Sequence, residues 1–191
     1  MIAEKKPIKK RGIRLVRLLL DDIRSVHNVG SIFRTAETLG ISMIYCVGTT
    51  PTPTDRFGRK RKDLAKVALG AEDMVAWKHV EGLSGLVGKT GDLELVKRLK
   101  KEGFKVVALE QAGNSIDYKE VVFERHSKSR ARSNSIVVEN ILVILGNEVD
   151  GVSPRLLRLA DVVAEIPLKG EKESLNVSVA AGIALFRWFD Y

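Results

Sequence analysis

Short apolar runs alternate with amphipathic segments along the chain. The runs from Ile13 to Leu20 and from Ile41 to Val47 predict two buried strands, and the segment from Asn28 to Gly40 between them has apolar positions at helical spacing. Asn28 is a candidate N-cap for this helix, and Gly40 is a natural C-terminal stop. A strand, helix, strand unit of this length predicts a parallel sheet with crossover helices and a ligand site beyond the carboxyl ends of the strands.

The rest of the chain continues this alternation. Further strands are predicted at Met74 to Trp77, Phe104 to Leu109, Ile141 to Leu145 and Val162 to Ile166, with further helices at Leu64 to Leu69 and Asp92 to Glu102. The segment from Glu124 to Ser135 is polar and lacks a periodic apolar face, so it is expected to be mobile. At 191 residues, the chain is expected to form one α/β domain with a mostly parallel sheet and flanking helices.

The last quarter of the chain joins a strand, a polar loop and a helix. Pro167 ends the strand because it has no N–H to donate, and the loop from Leu168 to Glu173 leads into the helix. Ser174 has a structural explanation as the N-cap. Asn176 has none, because a cap is already available and asparagine is a poor residue for the first turn of a buried helix. Leu175, Val179, Ile183 and Phe186 recur at helical spacing, and together with Trp188 and Phe189 they carry more apolar surface than one sheet face readily covers.

The chain is strongly basic, with a formal net charge of +8. The positive residues concentrate in an N-terminal tail (residues 1–12), in the loop from Thr49 to Lys62 and in the segment from Glu124 to Ser135. Such clusters suit counterion release from phosphates, although excess lysine also serves solubility. None of them resembles an amphipathic membrane helix, and no apolar run approaches the roughly 18 residues of a membrane span. We therefore expect a nucleic-acid partner and no membrane.

The loop between residues 49 and 62 has two interpretations, a solvated surface excursion or an arm that contacts RNA. In the second, its cations bind phosphates. These cations are Arg56, Arg59, Lys60, Arg61 and Lys62.

Composition disfavours several other kinds of site. The single cysteine, Cys46, lies in an apolar run, as is typical of a small core residue in a reducing compartment, so a cytoplasmic protein is expected. His27, His79 and His126 are too scattered for a metal cluster, and no metal is expected. The chain has neither the glycine fingerprint of dinucleotide-binding folds nor a P-loop.

Two further stretches place polar residues at the ends of predicted elements. D-D-I-R-S-V-H-N-V-G-S-I-F-R-T-A-E places Asn28 at the head of a helix and Arg34 six residues later. Arg34 is either a surface residue paired with Glu37 or a planar donor fork for phosphate. I-L-V-I-L-G-N-E-V-D-G-V-S-P ends a strand at Gly146 and places Glu148 where a parallel sheet binds its ligand.

Together with S-L-N-V-S-V-A-A-G-I after I-P-L-x-G, these stretches resemble, in order and spacing, the three motifs of the SpoU (TrmH) family of SPOUT-superfamily RNA ribose methyltransferases. The resemblance covers Leu15 to Trp188. It implies an α/β fold with a C-terminal trefoil knot, S-adenosylmethionine bound in the knotted crevice, and a homodimer formed through the knot region. It also implies methyl transfer to a ribose 2′-hydroxyl of RNA, with tRNA expected ahead of rRNA because no dedicated rRNA-recruiting domain accompanies the motifs.

The resemblance also assigns roles to single positions. The positions where the family holds the cofactor are Gly146, Ile166 and Leu175, and the polar positions around the reacting centre are Asn28, Arg34, Glu148, Ser174 and Asn176. Because arginine stays protonated in proteins, Arg34 is assigned to the phosphate beside the target ribose and to the developing alkoxide. The general base is left unassigned.

Two other classes of function are weighed against this interpretation. A catalytically inactive RNA-binding protein of the same fold would be favoured by damaged motifs, and all three motifs are intact. A nucleotide-binding oxidoreductase is disfavoured by the missing glycine fingerprint.

Overall fold

The computed structural model describes residues 15–82, 91–123, 125–127 and 136–189. The strands are β1 (Val16–Asp21), β2 (Met43–Val47), β3 (Trp77–Val80), β4 (Phe104–Leu109), β5 (Ile116–Asp117), β6 (Arg125–Ser127), β7 (Ile136–Val138), β8 (Asn140–Leu145) and β9 (Val162–Glu165). The helices are α1 (Val26–Thr38), α2 (Lys62–Ala68), α3 (Ala71–Met74), α4 (Gly91–Lys101), α5 (Pro154–Leu157) and α6 (Val177–Phe189), with a 3-10 turn at Tyr118–Glu120.

Seven strands form one parallel sheet in the order β3-β2-β1-β8-β4-β9-β5. The other two strands, β6 and β7, form a separate antiparallel pair. The central strands are buried along their length, as expected of a parallel sheet covered on both faces. The predicted α/β class with a parallel sheet is therefore confirmed, while the trefoil knot stays a prediction.

Two apolar layers hold the sheet between its helices. Along β1, Leu18 and Leu20 pack into the layer formed with α1, α2 and α6, whereas Leu19 packs into the layer formed with α4 and α5. Successive side chains of a strand point to opposite faces. The sheet is therefore covered on both sides, and its carboxyl edge is where a crevice can form.

The register of the sheet brings four strand ends to that edge. Leu20 of β1 pairs with Leu145 of β8, and Leu145 pairs with Leu109 of β4. Leu109 in turn pairs with Ala164 of β9. The polar or small residues that follow these positions therefore share one edge; they are Asp21, Gly146, Glu110 and Glu165.

The apolar residues of the last helix divide between two faces. Leu175, Val179, Ile183 and Phe186 are 39%, 49%, 39% and 41% exposed, whereas the buried face consists of Ala181, Ala184, Leu185, Trp188 and Phe189. Both faces of α6 are apolar, so periodicity alone cannot choose between them. The face with two alanines lies in the core because small residues allow close packing. We call Leu175, Val179, Ile183 and Phe186 the outer stripe of α6.

Other predictions differ in detail. The third strand is Trp77–Val80 rather than Met74 to Trp77, because Met74 instead ends the short helix α3. Most of the segment from Glu124 to Ser135, expected to be mobile, lies outside the described residues, as does the N-terminal tail; Arg125–Ser127, however, is a strand. Cys46 is a buried core residue as predicted, and burial raises the pKa of its thiol to about 12. Within the described ranges, no helix is long and apolar enough to cross a bilayer.

Candidate active site

A crevice of about 580 Å³ opens at the carboxyl edge of the sheet, between the loops that follow β4, β8 and β9 and the start of α6. This volume lies within the roughly 300–1,000 Å³ typical of ligand pockets. Six residues predicted from the sequence line it, namely Gly146, Glu148, Ile166, Ser174, Leu175 and Asn176. The fold therefore brings the second and third sequence motifs to one place.

A chain of hydrogen bonds at the crevice joins all three motifs. The Asn28 side-chain amide donates to Glu148 Oε1 at 2.7 Å, and the Asn176 side-chain amide donates to Asn28 Oδ1 at 3.0 Å. These bonds connect residues that are 120 and 148 positions apart in the sequence. We call Glu148, Asn28 and Asn176 the polar chain. It exists only when β8, α1 and α6 have docked.

Glu148 also receives backbone N–H groups from the segment that enters α1. Arg24 N–H donates to Oε2 at 3.2 Å and Ser25 N–H donates to Oε1 at 3.3 Å. Partial burial acts to raise the pKa of Glu148, but the hydrogen bonds from Asn28 and from the backbone of Glu148, Arg24 and Ser25 outweigh it and hold the pKa below 4.5. Glu148 is therefore an ionised acceptor that orients Asn28, and it has no proton to donate at neutral pH.

The predicted caps of the two site helices were wrong, and the difference is informative. Ser25, not Asn28, caps α1, since its hydroxyl accepts from Asn28 N–H at 3.2 Å. Asn28 lies within the first turn, only 6% exposed, and its side chain is free to bridge to the other motifs. Because one side chain already serves as the cap, the amide of Asn28 is available for the site.

At α6 the roles are reversed. Asn176 Oδ1 accepts from Ser178 N–H at 2.9 Å and from the Ser178 hydroxyl at 2.7 Å. Asn176 therefore caps α6, the role that was predicted for Ser174. An amide has an acceptor as well as donors, and Asn176 therefore caps α6 with its oxygen while its NH₂ group reaches Asn28. Ser174 is exposed at the crevice, and its side chain makes no hydrogen bond to any residue that the structure describes.

Glu110 is a site residue that the sequence analysis missed. Its Oε2 accepts from Val152 N–H at 2.6 Å and its Oε1 from Gln111 N–H at 2.9 Å, so it holds the loop that follows β8. At Gly151, where φ is +67°, an added Cβ would lie 2.1 Å from Glu110 Oε2. The signal in the sequence was an acid directly after a strand; Glu148 likewise follows a strand, three residues beyond its end.

Gly146 has a purely local reason to be glycine. An added Cβ would lie 2.1 Å from the Gly151 carbonyl carbon, because the loop turns back on itself through paired backbone hydrogen bonds between Asn147 and Gly151. Contact with a ligand is therefore not needed to explain this residue. Its position in the crevice wall still leaves its backbone beside the cavity.

Asp21, the last residue of β1, holds the loop that follows β8. Its Oδ2 accepts from Ser153 N–H at 2.8 Å. Burial raises the pKa of Asp21, and the hydrogen bonds from Ser153 only partly offset this. In the sequence Asp21 stands out only as part of the stretch from Asp21 to Glu37, because a contact over 132 residues leaves no local pattern.

The crevice is acidic although the protein is basic. Among the residues that the structure describes, its wall contains no lysine or arginine but five carboxylates, which belong to Glu110, Glu148, Asp150, Glu165 and Glu173. Apolar side chains line the rest of the wall, including Leu109, Leu145, Ile166, Leu168 and Leu175. This combination suits a ligand that carries positive charge next to an apolar ring. Among the described residues, no group of three His, Cys, Asp or Glu side chains could hold a metal ion.

Arg34 lies outside the crevice wall. It is exposed on α1, six residues after Asn28, which corresponds to about 9 Å along the helix. It lines a second depression, between α1 and α2, together with His27, Ser31 and Lys66. The pairing with Glu37 that the sequence suggested is absent among the residues that the structure describes, so the guanidinium is open to a ligand.

The basic loop between residues 49 and 62 is less positive than its composition indicates. Three of its five cations are held in ion pairs: Arg59 with Asp55 at 2.7 Å, Arg61 with Asp63 at 2.6 Å, and Lys60 with Asp73 and, at 3.6 Å, with Glu72. Hydrogen bonding to Asp73 raises the pKa of Lys60. Arg56 and Lys62 form no ion pair with any described residue. They are the loop cations most available to a phosphate.

The chain matches a known protein family and is similar to characterised relatives. Residues 15–186 match the SpoU rRNA Methylase family. The chain is 30% identical over 179 residues to the 23S rRNA (guanosine-2′-O-)-methyltransferase RlmB of Coxiella burnetii, a match that covers 94% of this chain and 60% of that protein. It is 27% identical over 179 residues to the tRNA (guanosine(18)-2′-O)-methyltransferase of Aquifex aeolicus, covering 94% and 70% respectively.

A solved structure is similar over almost the whole chain. The AdoMet-bound rRNA methyltransferase from Sinorhizobium meliloti superimposes with a TM-score of 0.70 at 26% identity, covering 93% of this chain and 56% of that one. The chain thus spans somewhat over half the length of this protein and 60% of the Coxiella relative.

Proposed function

Because the chain belongs to the SpoU rRNA Methylase family, we propose that it is an S-adenosylmethionine-dependent methyltransferase acting on a ribose 2′-hydroxyl of RNA in the cytoplasm. The observation that carries this proposal is the polar chain, in which one residue from each of the three motifs meets at the rim of an acidic crevice.

The crevice suits the cofactor in charge and in apolar character. When bound, S-adenosylmethionine supplies an electrophilic methyl group on a positively charged sulfur. The five carboxylates of the wall complement that charge, and Ile166 and Leu175 offer apolar contacts for the adenine ring. Gly146 contributes backbone at the same wall.

The polar chain orients the reacting groups. Ionised Glu148 fixes the Asn28 amide, and Asn28 fixes Asn176 at the head of α6. Methyl transfer depends on alignment of the nucleophile with the donor, so positioning of this kind supplies much of the acceleration. The Ser174 hydroxyl, which has no partner among the described residues and faces the crevice, is the group we assign to contact the incoming ribose.

Arg34 is assigned to the phosphate beside the target ribose. Arg34 lies about 9 Å along α1 from Asn28. This distance leaves room for one nucleotide between the crevice and the Arg34 guanidinium. The guanidinium offers a planar donor fork that matches phosphate geometry. Its fixed charge would also stabilise the alkoxide that develops on the attacking oxygen.

We also propose that two copies of the chain pair through α6. The outer stripe of α6 exposes four large apolar residues in a row, and an exposed patch of this kind usually marks an interface. Leu175 belongs both to the stripe and to the crevice wall, so a partner on the stripe would adjoin the cofactor site. Light scattering is expected to give a dimer mass for the wild type and a monomer mass for Val179→Asp/Ile183→Asp. A monomeric wild type at micromolar concentration would contradict this.

The substrate is proposed to be tRNA ahead of rRNA. The test is to incubate the protein and labelled S-adenosylmethionine with tRNA and rRNA from cells that lack the protein, and to map ribose methylation. We expect label on a 2′-oxygen of tRNA. Transfer to rRNA alone would correct the substrate, whereas RNA binding without any transfer would favour the catalytically inactive RNA-binding protein.

A further inference from the structure

The tip of the basic loop is a closed turn rather than a loose excursion. Thr54 and Lys60 form an antiparallel bridge, and the backbone of Asp55 bonds to that of Arg59 and Gly58. Asp55 Oδ1 accepts the N–H groups of Phe57 and Arg59, both at 2.9 Å. Gly58 has a φ of +79°, which favours glycine. The turn is therefore built to present one fixed residue at its tip.

That residue is Phe57, which is 67% exposed. The guanidinium carbon of Arg56 lies 4.8 Å from the centre of the Phe57 ring and that of Arg59 lies 5.0 Å from it. Arg59 is in turn anchored to Asp55 by Nε at 2.8 Å. A large apolar ring is thus held largely in solvent beside two cations.

We propose that Phe57, with Arg56 and Arg59 beside it, is a stacking platform for an unpaired base of the RNA substrate. This inference rests on the proposed function and goes beyond it, since it names a contact to a base and restricts the substrate to RNA with a single-stranded or looped region. An aromatic face stacks on any base, and arginine planes stack on bases as well.

The chemistry favours an unpaired base over other occupants. A phosphate would use the guanidinium groups but would leave the ring uncovered. Bases within a duplex stack on one another and do not offer their faces to a side chain. A protein partner for an exposed phenylalanine would be expected to meet apolar neighbours, whereas the ring here is flanked by two arginines.

Fluorescence and binding measurements can test the platform. The probes are an RNA hairpin with 2-aminopurine in its loop and a blunt duplex made from the same stem. Phe57→Leu keeps an apolar side chain and removes the aromatic face, Phe57→Trp enlarges that face, and Arg56→Ala removes a charge but leaves the ring. All three change exposed side chains, so the fold should persist.

We expect Phe57→Leu to weaken binding of the hairpin roughly tenfold, to leave binding of the duplex unchanged, and to abolish the quenching of 2-aminopurine. The slope of log affinity against log salt should be the same for Phe57→Leu as for the wild type. For Arg56→Ala this slope should be smaller in magnitude by about 0.7 to 0.9. Phe57→Trp should bind and quench at least as well as the wild type.

Each opposite outcome is informative. If Phe57→Leu binds and quenches like the wild type, the platform is wrong while the proposed methyltransferase can still stand. If Phe57→Leu changes the oligomeric mass in the absence of RNA, the ring is a protein contact and the platform is also overturned. If hairpin binding depends on Phe57 but no methyl transfer occurs, the platform stands and the proposed function fails.

Discussion

The crevice and the basic loop are opposite in charge and in the way they are built. In the described part of the chain, the crevice is lined by acidic and uncharged residues, and its polar chain joins residues 120 and 148 positions apart. The loop carries five cations and is closed by hydrogen bonds within itself. For example, the Asp55 carboxylate accepts from the N–H groups two and four positions later. One region therefore depends on the whole fold, and the other depends mainly on itself.

This difference assigns a different task to each region. An acidic crevice repels RNA phosphates and attracts a cationic cofactor, whereas a basic loop does the reverse. Changes in the crevice should therefore alter turnover with little effect on RNA affinity. Changes in the loop should alter affinity and its salt dependence with little effect on turnover at saturating RNA.

The largest effect is expected at Arg34. Arg34→Ala should lower single-turnover methylation by about 10²- to 10³-fold, because the charge that stabilises the developing alkoxide is lost, with only a modest loss of RNA affinity. Arg34→Lys should recover only part of the rate, since lysine lacks the planar fork. The matched control is Arg98→Ala, which removes an exposed arginine from α4 on the other face of the sheet. Equal rates for Arg34→Ala and the wild type would remove Arg34 from the site.

The next effect separates the two roles of Asn176. Asn176→Asp keeps the oxygen that caps α6 but loses the amide donor to Asn28, whereas Asn176→Ala loses both. We expect both variants to lose methylation about 10- to 100-fold. Only the alanine variant should also lose about 1 kcal/mol of unfolding free energy, the usual contribution of a cap. Full activity of Asn176→Asp would show that the bond to Asn28 is structural.

Ser174 is predicted to contribute less to stability than Asn176 does. Because Ser174 is not the cap, Ser174→Ala should leave thermal stability unchanged while it lowers methylation. A loss of stability with full turnover would return Ser174 to a purely structural role.

In the loop, the expected effect is on binding. Arg56→Ala/Lys62→Ala removes the two cations that have no ion pair within the described part of the chain, and should reduce the slope of log affinity against log salt by about 1.5. Replacing Arg59, Lys60 and Arg61 together should also weaken binding but flatten the slope less, because acids already neutralise these three. Filter binding across a salt series measures both. An unchanged slope in both variants would move the RNA contact to another basic cluster.

The smallest effect concerns pH. The folded-state pKa of Glu148 lies below 4.5, so its ionised form stabilises the fold above that pH, and the contribution is lost as the pH falls through the folded-state pKa. The difference in unfolding free energy between the wild type and Glu148→Gln should therefore be constant near neutral pH and shrink in acid. Glu171→Gln, in the exposed loop before α6, is the control and should differ little from the wild type at any pH. A constant difference down to pH 3 would contradict the assignment.

The sequence predicted the parallel sheet and six residues of the crevice wall, because both leave local signals. Apolar runs mark buried strands, and a glycine or an acid within three residues of the end of such a run marks the ligand edge, as at Gly146 and Glu148. The predictions that failed concerned which of two nearby residues caps a helix. Asn28 and Ser25 can both cap α1, and Ser174 and Asn176 can both cap α6. Contacts between distant segments decide between them, and the contact of Asp21 with Ser153 is also invisible in the local sequence.

The most direct test of the division of labour is to measure RNA affinity and single-turnover methylation in parallel for the wild type, Asn28→Ala and Arg56→Ala/Lys62→Ala. Asn28 is the residue on which the polar chain depends, since it bonds to both Glu148 and Asn176. The account predicts that Asn28→Ala binds RNA like the wild type but methylates at least 100-fold more slowly, while the loop variant binds less tightly and methylates at the wild-type rate once RNA saturates. The opposite pattern, or parallel losses of both quantities in both variants, would contradict it.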